Sequence, residues 1–76
     1  MKIYIKTQTG APIELDDVEA MNTLGEIRKM LEENEGFSIP RQILIDKNLQ
    51  ELKDDNKTLQ ELGIGKDDQS LQLIIR

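Results

Sequence analysis

Few residues in this chain are equipped for covalent chemistry. It contains neither histidine nor cysteine, which removes the commonest proton shuttle near neutral pH, the thiolate nucleophile, the disulfide and the usual zinc ligands. Ser38 and Ser70 offer hydroxyls, but no evident base accompanies either one to activate it. The stretches KDDNK (53–57) and GKDDQ (65–69) hold oxygen ligands of the kind calcium takes. They lack the spaced donors and distal glutamate of an EF-hand loop, so they read as solvated turns. Asp16-Asp17 and Glu32-Glu33 read the same way, as a turn and a helix end, and Met21 and Met30 as core or its margin rather than ligands. The expectation is a protein that is not an enzyme and needs neither cofactor nor metal.

The chemistry that remains is recognition, and it depends on which elements carry the aliphatic residues. In MKIYIKT, Met1, Ile3 and Ile5 fall on one face and Lys2, Tyr4 and Lys6 on the other, the period-two pattern of a half-buried strand starting at the first residue. Gly10 and Pro12 form a turn into IELDDV, which offers Ile13, Leu15 and Val18 to the same interior, with a bulge expected at Asp16-Asp17. Thr23 and Glu26 have capping-box spacing, Leu24, Ile27 and Leu31 recur at helical spacing, and Gly36 supplies a left-handed stop. The spacing predicts a helix from about Thr23 to Asn34, weakened at Gly25 by roughly 1 kcal/mol relative to alanine.

After a loop closed by Pro40, RQILID reads as a third strand with Leu44 inward, and KNLQEL as a turn and short fourth strand. Thr58 and Glu61 repeat the cap before Gly63, which predicts a single helical turn; GKDDQ is a further turn. SLQLIIR closes as a strand with Leu71, Leu73 and Ile75 inward and Gln72, Ile74 and Arg76 outward. The order β, β, α, β, short β, helical turn, β defines one α+β domain over 1–76, with one main helix laid across a mixed sheet. The most economical arrangement makes the first and last strands parallel neighbours, because the helix and its connections give the long crossover that such a pair requires.

The outward residues of the first, third and fifth strands are Lys2, Tyr4, Lys6, Ile43, Ile45, Gln72, Ile74 and Arg76, and none is acidic. In a chain with 15 acidic and 10 basic residues, such a face suits a partner with an apolar anchor and acidic surroundings. Isolated exposed isoleucines are also ordinary on strands, which favour β-branched residues. A net charge of −5 disfavours nucleic acid. No apolar run approaches the length of a membrane span. With 37% apolar and 33% charged residues, the composition is that of a soluble globular domain rather than a disordered segment.

MKIYIKTQTG, Thr23-Leu24 with Ile27 and Leu31, Glu35-Gly36, Gln42 to Ile45, Lys57-Thr58-Leu59, Gly63-Ile64 and Leu71 to Arg76 together resemble the ubiquitin and ubiquitin-like family over the whole chain. The resemblance implies a β-grasp fold, and recognition through an aliphatic patch on the sheet. Matched residue by residue, Ile45 and Ile74 take the two central aliphatic positions, Gln72 a polar neighbour and Arg76 the edge, with Lys6 matching a family lysine. Gln8 departs from the family's aliphatic residue in the first hairpin, which implies a smaller patch. Of the linkage lysines, Lys6 and Lys66 match and Lys47 lies near another, whereas Ala11, Arg28, Met30 and Asn34 occupy the rest. The implied partners are proteins with ubiquitin-binding motifs or proteasomal receptors, met by a monomer in the cytoplasm, with the nucleus as a second compartment. The sequence stops at the arginine that precedes the family's conjugating Gly-Gly tail. The alternative is therefore a modifier whose tail lies outside these residues.

Overall fold

The computed structural model describes residues 1–8, 10–64 and 69–76, with Gln69 described through its backbone. Strand β1 (Ile3–Thr7) pairs antiparallel with β2 (Ile13–Leu15), Ile3 opposite Leu15 and Ile5 opposite Ile13. Both β1 isoleucines are fully buried. The ladder begins at Ile3 rather than at Met1, whose ammonium group instead donates to the Val18 carbonyl at 2.6 Å. The bulge expected at Asp16-Asp17 does not form. The strand ends at Leu15 and a bend keeps both carboxylates in solvent while Val18 returns to the core.

Helix α1 (Leu24–Glu35) starts at a complete capping box. The Thr23 hydroxyl accepts from the Glu26 N–H at 3.2 Å, and the Glu26 carboxylate accepts from the Thr23 N–H at 2.8 Å. Such a cap contributes about 1 kcal/mol. At the other end, Gly36 adopts φ 78°, and its N–H bonds to the Glu32 carbonyl at 3.0 Å. Leu24, Ile27 and Leu31 are fully buried along one stripe. Gly25 has a reason beyond propensity: its N–H donates to the Asp55 carbonyl at 3.0 Å, and a β-carbon there would lie 3.2 Å from that oxygen.

A 3-10 turn (Ile39–Arg41) leads into β3 (Gln42–Ile45), followed by β4 (Glu51–Leu52) and β5 (Gln69–Ile75). The sheet order is β2-β1-β5-β3-β4, with β1 and β5 parallel at the centre and all other neighbours antiparallel. Leu44, Leu52, Leu71 and Leu73 face the helix and join a single aliphatic core with Ile3, Ile5 and the α1 stripe. This is the β-grasp arrangement expected from the sequence, and it fixes the third-strand register with Leu44 inward.

The second cap also forms, Thr58 and Glu61 bonding each other's backbone N–H at 3.1 and 2.9 Å. A hydrogen-bonded turn follows, with the Leu62 N–H on the Thr58 carbonyl at 3.1 Å, and Gly63 closes it at φ 80°. Most of the GKDDQ turn, including Lys66, lies outside the described residues. Met21, assigned to the core or its margin, is 66% exposed in the turn before α1. Phe37 and Met30 pack at the core's edge instead.

Among the described residues, two polar side chains enter the core. Arg28, on the buried side of α1, donates to the Gln42 and Leu52 carbonyls, both at 2.8 Å, and its Nε pairs with Asp55 at 2.8 Å. Gln42 answers by donating to the Arg28 and Phe37 carbonyls at 3.0 and 2.9 Å. Its Oε1 has no partner among the described residues. The network ties α1 to β3, β4 and the loop holding Asp55, so Asp55 is not the merely solvated residue its KDDNK setting suggested.

Candidate protein-docking face

The side of the sheet away from α1 is built in rows by register. β3 and β5 set Ile43 opposite Ile74 and Ile45 opposite Gln72, while β1 sets Lys6 beside Gln72 and Tyr4 beside Ser70. Ile43, Ile45 and Ile74 are each half-buried and belong to no part of the core cluster. Three aliphatic side chains on two adjacent strands thus form a continuous patch, where isolated isoleucines would have been unremarked. Gln8, just past β1, joins Lys6, Gln72 and Ile74 along an open groove. Four of the six residues singled out from the sequence therefore line one feature, and Ile45 adjoins it through Gln72.

At one end the β3–β5 ladder runs on into the arginines. The Arg76 N–H donates to the Arg41 carbonyl at 2.9 Å, and Arg41 Nε returns a bond to the Arg76 carbonyl at 2.8 Å. Both side chains are exposed. Among the described residues neither guanidinium, nor the Lys6 ammonium, forms an ion pair. Lys2 differs: it bridges Glu14 at 2.7 Å, and that hydrogen bond together with the opposite charge raises the lysine pKa and lowers the glutamate's.

The face is not free of acids, as the alternation of three strands implied. Glu14 on β2 stands opposite Tyr4, and Glu51 on β4 stands opposite Ile45. Both come from the edge strands, whose outward residues can be assigned only once the sheet order is known. Among the described residues the centre and the arginine end stay cationic, while carboxylates mark the two flanks.

Beyond Ile45 the chain makes a tight turn to β4. Asp46 Oδ1 accepts from the Asn48 and Gln50 N–H groups at 2.9 and 3.0 Å, and the Leu49 N–H bonds to the Asp46 carbonyl at 3.0 Å. This holds Leu49 at φ 65°, the one non-glycine with positive φ among the described residues, and leaves its side chain 75% exposed. A left-handed leucine costs about 1–2 kcal/mol, and a bulky residue there is an outlier. Alternation patterns carry no signal for such a residue.

A five-stranded mixed sheet grasping one helix, with an aliphatic outer face, defines a ubiquitin-like domain. The family model for the ubiquitin family matches residues 3–76, and the chain belongs to that family. Domains of this family are generally noncatalytic. Among the described residues no group of three or more acidic side chains is positioned to hold a metal ion.

Proposed function

We propose that this chain is a noncatalytic interaction domain that docks through the outer face of its sheet onto ubiquitin-pathway proteins, carriers of ubiquitin-binding motifs or proteasomal receptors among them. The reading rests on one observation: the Ile43, Ile45 and Ile74 patch adjoins Lys6, Arg41 and Arg76, three cations without ion-pair partners among the described residues, in a chain of net charge −5. The complementary partner carries an aliphatic anchor and carboxylates, as an acidic amphipathic helix does. Ile45 and Ile74 supply the anchor pocket, Gln72 and Gln8 its polar border, and Lys6 and Arg76 the charge. With few anchors, affinity should be on the order of micromolar. The domain works as a monomer in the cytoplasm or nucleus, without nucleic acid or membrane.

Substitution of Ile74 tests this. Ile74→Ala removes half-buried apolar surface outside the core cluster, so the fold should survive with a loss of about 1 kcal/mol, while calorimetric titration with a ubiquitin-interacting-motif peptide should show binding weakened about tenfold. Unchanged affinity in a folded variant would count against the reading. The alternative, a modifier conjugated through a Gly-Gly tail, shares the same face; intact mass of the protein from its native source distinguishes the two.

A further inference from the structure

We infer that the turn at Leu49 is a second docking anchor, extending the face past Ile45 to take an aliphatic side chain of an acidic amphipathic helix. The inference rests on the docking role proposed above for the isoleucine patch. Two unfavourable features coincide at this residue: a bulky side chain in the left-handed region and a leucine 75% exposed to water. Glycine or asparagine would serve the turn better on both counts. The strain is imposed by a well-made structure, because Asp46 bonds the backbone of three of the four residues that follow it, at 2.9 to 3.0 Å. Strain held in this way clusters at ligand clamps and binding sites.

The surroundings indicate the occupant. Leu49 lines a groove with Lys6, Asp46, Lys47, Ser70 and Gln72, and Lys6 and Gln72 also border the isoleucine patch. The two lysines are exposed. The Asp46 oxygen that accepts two backbone N–H groups is turned into its own loop. Among the described residues that line it, one exposed leucine with two ammonium groups and one engaged carboxylate matches an aliphatic side chain flanked by glutamates. Lys47, noted in the sequence only for lying near a family linkage position, becomes part of this lining. The anchor also offsets the aliphatic residue that Gln8 does not supply.

The test compares Leu49→Gly, Leu49→Asn and Ile74→Ala with the parent chain, measuring thermal unfolding and titration by an acidic ubiquitin-interacting-motif peptide. Both Leu49 variants should melt at or above the parent temperature, since they relieve the left-handed strain, yet bind about tenfold more weakly. If they bind like the parent while Ile74→Ala binds weakly, the second anchor is refuted and the docking face stands. If all three bind like the parent, both fail. Lower melting of both Leu49 variants would mean that the leucine supports the turn, which also refutes the inference.

Discussion

Arg28 satisfies carbonyls on two different strands and the carboxylate of a loop, and its three contacts differ in weight. The Gln42 and Leu52 carbonyls are reached inside the protein, whereas the Asp55 side chain is 51% exposed. An orphaned buried acceptor costs about 1–3 kcal/mol, while an ion pair to an exposed carboxylate contributes about 1 kcal/mol or less. Arg28→Ala should therefore lower stability by about 3 kcal/mol or more and Asp55→Ala by about 1 kcal/mol, measured by urea denaturation. Arg28→Lys should fall between, because an ammonium group cannot reproduce the guanidinium fork. Equal losses for the two alanine variants would contradict this ranking. None of it was legible in the sequence, where Arg28 read only as a substituted family lysine. Its partners lie 14, 24 and 27 residues away, beyond any local pattern.

At the scale of elements, alternation alone does not separate the two sides of β3, because aliphatic residues fall on both faces and only register distinguishes them; counting from Glu35-Gly36 points Leu44 inward, as the structure has it. Leu44 is fully buried and Ile45 only half-buried. Leu44→Ala should cost about 2–5 kcal/mol and Ile45→Ala about 1 kcal/mol, so similar losses in thermal unfolding would refute the register. The caps of α1 and of the 58–63 turn were equally readable, since Thr-x-x-Glu is a local signal. In both, hydrogen bonds from the threonine backbone hold the glutamate pKa below its ordinary 4.5. A depressed folded-state pKa stabilises fully above the unfolded value and ceases to do so as pH falls through the folded one. Stability should accordingly decline below about pH 4.5, and Glu26→Gln with Glu61→Gln should flatten that decline. An unaltered acid slope in the double variant would show that these carboxylates do not set it. The bulge at Asp16-Asp17 was misread because alternation cannot distinguish an extra residue within a ladder from a strand that has ended.

Across the whole molecule, charge is sorted: the chain is acidic by five units, yet the centre of the outer face and its arginine end are cationic. Exposed charges steer encounter and are screened by salt. Association with an acidic helix should slow as ionic strength rises, with dissociation changing less; stopped-flow measurements in which salt leaves association untouched would remove charge from the account. The sequence was sufficient for the fold and the aliphatic centre, which follow from periodicity and connection length. It could not show the flanking Glu14 and Glu51 or the strained Leu49, because these depend on strand order and backbone conformation. The most direct measurement of the docking claim is an amide-shift map during titration with a ubiquitin-interacting-motif peptide. Shifts concentrated at Lys6, Ile43, Ile45, Gln72 and Ile74 are predicted, and shifts confined to α1 on the opposite side would contradict it.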